Sequence, residues 1–387
     1  MLVKRRLFLK IIIYTYILLG FIIFNNKITF AITHIQLKPQ LKEIKVKNFK
    51  ISMPTLSPDH KIIAFVNIAP SKIPSLNEPF PHPVEGILYV FNINENKIEK
   101  LTDKIILDDE PFVSWSPDSN FITFGSKGEI WIIDVQNKKD LLIRNPNKNR
   151  VKTYPGYYQD YFHSPSWSLE GSIIAVRNVD DIWLYDLKLK VYAKLYSPPE
   201  KFRSATDTGD LPSLVWSNDS TKLAFDLNKL VRPPDKIKER YIKGISVIDV
   251  KTKKVEPIVG VSENIEYYPV FSTDNNYVAF FSRKNWDSKP MIFINDLKTN
   301  KSIEIADCED ECHMLSWSQD GSKLYFTTNK ALWIVKIKKL TKPTIEKKII
   351  VKGVSDLSDV FWLPKGDTIY FLKPVEGGKY SFGILKL

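Results

Sequence analysis

Histidine, cysteine and methionine are scarce, at five, two and four in 387 residues. With so few imidazoles, acid–base chemistry would fall to carboxylates, and no stretch of the sequence pairs two of them for that work. Phosphate-binding Walker loop, dinucleotide fingerprint, zinc-protease helix and Ser/His/Asp constellation are all missing, which removes the common nucleotide, redox and hydrolase classes. No basic stripe interleaved with aromatics is present, so nucleic acid is not an expected partner. Helix-period segments of useful length and low-complexity linkers are absent too. No catalytic residue, cofactor or metal site is assigned.

What the chain has instead is a repeated phrase. Val113 to Phe124 reads as a short apolar strand ending in Trp115-Ser116, a polar turn Pro117-Asp118, and a second apolar strand. Worn copies begin at Ser57, Ser168, Ser217, Ser272, Ser318 and Leu363, separated in chain order by 59, 52, 49, 55, 46 and 45 residues. A period near fifty with several short strands per unit points to a β-propeller. Pro presets the turn, Asp bonds its own backbone, and Gly accepts a positive φ. The Trp before the turn (115, 167, 216, 317 and 362) is large and apolar and fits between adjacent blades.

The third strands share a form, as in Ile130-Trp131-Ile132-Ile133-Asp134 and Ile182-Trp183-Leu184-Tyr185-Asp186. Continuous apolar runs suit strands covered on both faces, and the closing Asp reads as a turn former. The expected fold is all-β, a seven-bladed propeller, with six blades as the alternative. Blade seven has room for only three strands before Leu387, and an unpaired edge invites aggregation. The segment around Leu41 to Lys47 is therefore expected to supply its outer strand.

The first 31 residues have Lys4-Arg5-Arg6, an apolar run from Ile11 to Phe24, and a polar end at Ala31. This is the pattern of a secretory signal, or of an uncleaved anchor spanning Leu7 to Phe24. Arg5-Arg6-Leu7-Phe8-Leu9-Lys10 also resembles a twin-arginine export motif. Residues 32–387 are expected to form one monomeric propeller working outside the cytoplasm, in the periplasm or held to the membrane by its N-terminus. Formal charge is +12, or +7 without the five basic residues of the leader. That excess reads as a lysine-rich solvated surface.

Candidate contacts gather on the face carrying the inter-blade loops. Asp109, Glu110, Asp207, Asp210, Glu266, Glu309 and Asp310 make those loops acidic in a basic chain, a negative funnel for a cation or a basic segment; the same residues also suit plain solvated loops. Tyr157, Tyr158, Tyr161 and Tyr267 add amphipathic contact area or channel-mouth packing. Trp286 stands in a polar loop, off the repeat pattern. A proline-rich insertion (67–86) and a basic one (226–244) share the face. Cys308 and Cys312 are expected to form a small disulfide in an oxidising compartment; free thiols, or a metal site with His313, are the alternatives.

On Trp115-Ser116-Pro117-Asp118, its copies and the Ile-Trp-x-x-Asp strands, residues 50–387 resemble the TolB-type, WD-repeat-like propeller family of the bacterial envelope, without the additional α/β domain that precedes the TolB propeller. Propellers of this kind also precede the hydrolase domain of prolyl-oligopeptidase-like enzymes, but the chain has no Gly-x-Ser-x-Gly elbow. The resemblance implies a binding or scaffolding module for an envelope protein. The rival is a propeller enzyme, or a carbohydrate- or cation-binding protein, using carboxylates at the channel mouth.

Overall fold

The computed structural model describes residues 33–37, 40–44, 51–68, 84–108, 113–126, 129–143, 152–154, 157–158, 162–178, 181–198, 214–231, 240–258, 264–285, 287–308, 311–328, 331–337, 344–351, 361–365, 368–375 and 379–386. Among them there is no helix. Residues Ile32–Leu387 make up one structural unit.

In sheets 1 to 6 four strands follow in chain order, and in sheet 7 three, each antiparallel to the last. Sheet 1 comprises Ile51–Leu56, Ile62–Ile68, Val84–Asn92 and Lys97–Asp108. Sheet 2 comprises Val113–Trp115, Phe121–Ser126, Glu129–Asp134 and Asp140–Ile143. Sheet 3 comprises Phe162–Trp167, Ile173–Asn178, Asp181–Asp186 and Val191–Tyr196. Sheet 4 comprises Leu214–Trp216, Lys222–Val231, Arg240–Asp249 and Val255–Pro257. Sheet 5 comprises Ile265–Phe271, Tyr277–Arg283, Met291–Asp296 and Lys301–Asp307. Sheet 6 comprises Cys312–Trp317, Lys323–Thr328, Leu332–Lys336 and Thr344–Val351. Sheet 7 comprises Phe361–Lys365, Thr368–Val375 and Lys379–Lys386.

The N-terminal segment completes the last two sheets. Gln40–Ile44 runs antiparallel to Lys379–Lys386, from Gln40 opposite Ile384 to Ile44 opposite Tyr380. The sequence asked for this strand; the residues beyond Ile44 in the expected segment lie outside the described residues. A second strand, Thr33–Leu37, adds parallel to Thr344–Val351 as a fifth member of sheet 6.

Apolar layers are trapped between neighbouring sheets from 1 through 6 and between sheets 7 and 1. Ala64, Val66 and Leu88 of sheet 1 meet Trp115, Ile122 and Phe124 of sheet 2. Sheet 7 packs on sheet 1: Leu363, Leu372, Tyr380 and Phe382 meet Ile51, Ile63, Phe65 and Phe91, and the Ile51 N–H donates to the Tyr380 hydroxyl at 3.2 Å.

The repeated Trp does more than fill space. Its indole N–H reaches back to the preceding sheet: Trp115 to the Thr55 carbonyl (3.3 Å), Trp216 to that of Ser166 (3.0 Å), and Trp317 to that of Val270 (3.3 Å). Each acceptor stands two residues before its own turn serine, so the same bond recurs between these copies. Trp167 instead uses the Thr123 hydroxyl at 3.0 Å.

The turn serine is a buried hub. Ser116 Oγ donates to Asp118 at 2.5 Å and accepts the Phe121 N–H at 2.9 Å, and Ser57, Ser217, Ser272 and Ser318 repeat the pair of bonds. The residue after the acidic turn residue, Asp in five copies and Glu170 in sheet 3, takes a positive φ: His60, Ser119, Ser220, Asn275, and glycine at 171 and 321. The aspartates that close third strands are turn formers as expected, since Asp134, Asp186 and Asp296 accept the N–H groups two and three residues on, and Asp249 accepts that of Thr252.

These turns make an acid-labile contribution. The Ser318 hydroxyl, then the amide and hydroxyl of Ser322, hold the Asp320 carboxyl down at about 2 against an ordinary 3.8. A depressed carboxyl stabilises the fold above its unfolded pKa, and that part is lost as pH falls from about 4 towards 2. Ser318→Ala removes the first cause and the bond from the Lys323 N–H. Its expected cost is about 1–2 kcal/mol at pH 7. Melting curves should show the gap between variant and parent narrowing below pH 4.

Candidate functional site

The chain leaves each turn on a second strand and passes to the opposite face, where second-to-third connections and inter-sheet loops gather. In sheets 2, 3, 5 and 6 the second strand ends there in a polar residue after an apolar body: Ser126, Asn178, Arg283 and Thr328. Arg177 and Asp226 each stand nine residues after a turn serine, Ser168 and Ser217. Equivalent slots on adjacent sheets bring them together. Arg177 Nη1 donates to Asp226 Oδ1 at 2.7 Å and Nη2 to the Asp226 main-chain carbonyl at 3.0 Å, with the two side chains 6% and 7% exposed.

Asp226 is the root of an arm. Past the end of the first strand of sheet 4, where Leu214 faces Phe225, the second and third strands continue paired from Asp226 opposite Ile245 to Val231 opposite Arg240. Residues 226–231 and 240–244 of the basic insertion thus form a β-ribbon that continues the sheet, and residues 232–239 lie outside the described residues.

A second polar knot lies between sheets 5 and 6. Arg283 is buried; its Nε donates to the Tyr267 hydroxyl at 2.8 Å, and Nη2 donates to the same hydroxyl and to Glu311 Oε1. The guanidinium sits over the Tyr267 ring, 5.1 Å from its centroid. Burial alone depresses the basicity of Arg283, but the Glu311 carboxylate and the Tyr267 hydroxyl more than offset it, and its pKa is raised. Nearby, Asn264 Nδ2 donates to Ser282 Oγ at 3.1 Å. Cys308 and Cys312 are disulfide-bonded with Cα atoms 6.3 Å apart, and both pack in the apolar cluster that holds Tyr267 and Phe281. The bond ties the loop bearing Glu311 to the end of sheet 5.

Of the contact residues expected from sequence, Glu266 and Tyr267 are inside the fold, at 0% and 8% exposure. The reason is local: register shifts between Tyr267 and Val270, and Tyr268, at φ 53, turns outward in Tyr267's place. Tyr157 and Tyr158 form one strand of a two-stranded ribbon with Lys152–Tyr154. Asp109, Glu110, Tyr161, Asp207, Asp210, Trp286, Glu309 and Asp310 lie outside the described residues. Sequence reasoning passed over Arg177, Asp226 and Arg283. The signal was there for the first two: a charge following the apolar body of the second strand, nine residues after the turn serine on adjacent repeats. Among the described residues no group of three His, Cys, Asp or Glu stands where a metal could be held.

Comparison with known proteins bears on the fold. Residues 73–198 match the family described as the dipeptidyl peptidase IV (DPP IV) N-terminal region. No curated protein matches. Hydrazine synthase of Kuenenia stuttgartiensis superposes with a TM-score of 0.55 at 13% identity, over 89% of this chain and 97% of that one. Oligogalacturonate lyase of Vibrio parahaemolyticus gives 0.57 at 10% identity, over 90% and 97%. A chain of the mitotic checkpoint complex gives 0.55 at 12% identity, over 94% and 99%. Proteins of such different kinds share an architecture and nothing finer, and by that architecture the chain is a β-propeller.

Proposed function

We propose that the chain is an exported, seven-bladed propeller, its last blade completed by the N-terminal strand, that serves as a binding or scaffolding module for a cell-envelope protein through its loop face. The observation that carries this reading is the arm of sheet 4. Its paired strands run six residue pairs beyond the first strand, and its root is pinned by the buried Arg177–Asp226 pair. A ribbon so held offers main-chain edges, and its sequence basic residues, to another protein. The leader pattern and the Cys308–Cys312 bond support an oxidising compartment outside the cytoplasm.

Position-specific photocrosslinking in native envelopes tests the reading. A benzophenone amino acid at position 236, in the chain segment between the two paired strands of the arm, should give one saturable crosslinked species that excess unlabelled propeller competes away. The same probe at Lys298, on the opposite face, should give none. Equal crosslinking at both positions, or none at either, would sink the proposal.

The rival reading, a carbohydrate- or cation-binding propeller or an enzyme, draws on the fold neighbours, among which one oligogalacturonate lyase is described in complex with manganese. Titration calorimetry with manganese and with acidic oligosaccharides separates the two readings. A saturable heat favours the rival.

A further inference from the structure

On the face opposite the arm, the described turns belong to sheets 1 to 6, and at four of their five seams neighbouring turns are laced together. The Asp59 N–H donates to Ser119 Oγ at 3.0 Å, the Glu170 N–H to Ser220 Oγ at 3.2 Å, and the Asn218 N–H to Asn275 Oδ1 at 2.7 Å. These bonds join sheets 1 and 2, 3 and 4, and 4 and 5. Ser119, Ser220 and Asn275 occupy one slot, the third residue after the turn serine, all at positive φ. Sheets 5 and 6 reach the same end differently, through Thr273 Oγ1 donating to the Ser318 carbonyl at 3.0 Å.

Between sheets 2 and 3 the slot is Gly171, at φ 78, and the residue facing it is Pro117. Glycine has no side chain to accept and proline no hydroxyl to donate. Among the described residues no hydrogen bond joins these two turns. A cavity of about 440 Å³ opens in their place, walled by Phe121, Trp167, Leu141 and Leu187. Phe121 and Trp167 stack at 6.5 Å between centroids. Leu141 is 57% exposed, and Leu169, Leu189 and Val191 of sheet 3 are exposed as well; the described residues hold one other exposed large hydrophobic, Tyr268.

Three carboxylates, Asp118, Asp134 and Glu170, share the lining with one lysine, Lys139. Burial pushes Asp118 up, but bonds from Ser116 and Asn120 more than offset it; bonds from Asn137 hold Asp134 down. The cavity is therefore locally negative on a chain of net charge +12. Its volume falls in the range of binding pockets, and an apolar floor with a few fixed charges is the usual composition of one.

We propose that this seam is a second docking site, taking an extended peptide segment of a partner that carries a bulky aliphatic or aromatic side chain beside lysine or arginine. The apolar walls take the side chain, and the carboxylates take the cation. The site is independent of the arm and of its partner.

Fluorescence anisotropy with two labelled peptides, Lys-Leu-Lys-Phe-Lys and Glu-Leu-Glu-Phe-Glu, tests this on the whole propeller. The net charge of the protein favours the acidic peptide at long range, so the expected result has the opposite sign. The basic peptide should bind saturably and at least about tenfold more tightly. Leu141→Arg should remove that binding. Gly171→Asn should also weaken it by about tenfold, by restoring the missing lace. An added Cβ there meets Pro117 Cδ at an ordinary 3.7 Å; the positive φ strains any side chain, and asparagine, which holds the same slot at Asn275, is among those that tolerate it best. Both variants should melt cooperatively, Leu141→Arg with the parent and Gly171→Asn within a few degrees of it. Equal affinity for the two peptides, no saturation, or indifference to both substitutions would overturn the proposal. So would anionic vesicles pelleting the protein in a Leu141-dependent way while neither peptide binds, since that assigns the leucines to a lipid surface.

Discussion

Removal of residues 33–44 is expected to lower the melting temperature by about 10 °C or more and to broaden the transition. The deletion strips the fourth strand from sheet 7 and the fifth from sheet 6. Lys379–Lys386 then becomes an open edge, and the sheet that carries it is the one packed on sheet 1. Leu363, Leu372, Tyr380 and Phe382 make that packing. Large apolar side chains contribute about 1.5–3 kcal/mol each when buried, so four of them weigh as much as the whole stability of an ordinary domain, about 5–15 kcal/mol. A partial deletion ranks the two strands. Loss of 40–44 should cost more than loss of 33–37, because sheet 6 keeps four strands without its parallel addition whereas sheet 7 falls to three. Scanning calorimetry of the three variants checks the order. An unchanged melt in the full deletion would mean that the last sheet holds its place without the N-terminal segment.

The need for the strand at 40–44 was legible because it follows from counting: three strands remained after Phe361 where every other repeat had four. The strand at 33–37 was not legible. Sheet 6 was already complete on that count, and five residues with a parallel partner carry no turn signal to announce them. The turn was read through Pro and Asp, which announce turns in any protein, whereas the common hub is Ser, which accepts an amide and donates to the aspartate in five of the copies. Its role depends on a bond to a residue five places on, closed only once both strands exist. The Trp bond to the preceding sheet is hidden for the same reason. It spans 50 residues between Trp216 and Ser166 and 60 between Trp115 and Thr55, and only the docking of whole blades reveals it. Exposure of a single side chain is set by small irregularities such as the shift at Tyr267, which alternation alone does not disclose.

Arg177→Met is expected to cost about 3–5 kcal/mol, because it strands the carboxylate of Asp226 in a site from which water is excluded. Asp226 itself is 6% exposed. The double substitution Arg177→Met with Asp226→Leu should recover most of that loss, since two apolar groups of similar size replace a desolvated pair at little net cost. Stability alone would then make the pair look dispensable. The second bond of Arg177 says otherwise. Its Nη2 holds the main-chain carbonyl of Asp226 at 3.0 Å, at the point where the arm leaves the sheet, and methionine cannot replace that donor. In hydrogen exchange, the amides of Leu227 to Val231 should therefore exchange faster in the double variant than in the parent even where the melts coincide. If they exchange at the same rate, the pair serves the core and not the arm. If they exchange faster and the crosslink from position 236 is lost with them, the buried ion pair is what aims the ribbon at its partner.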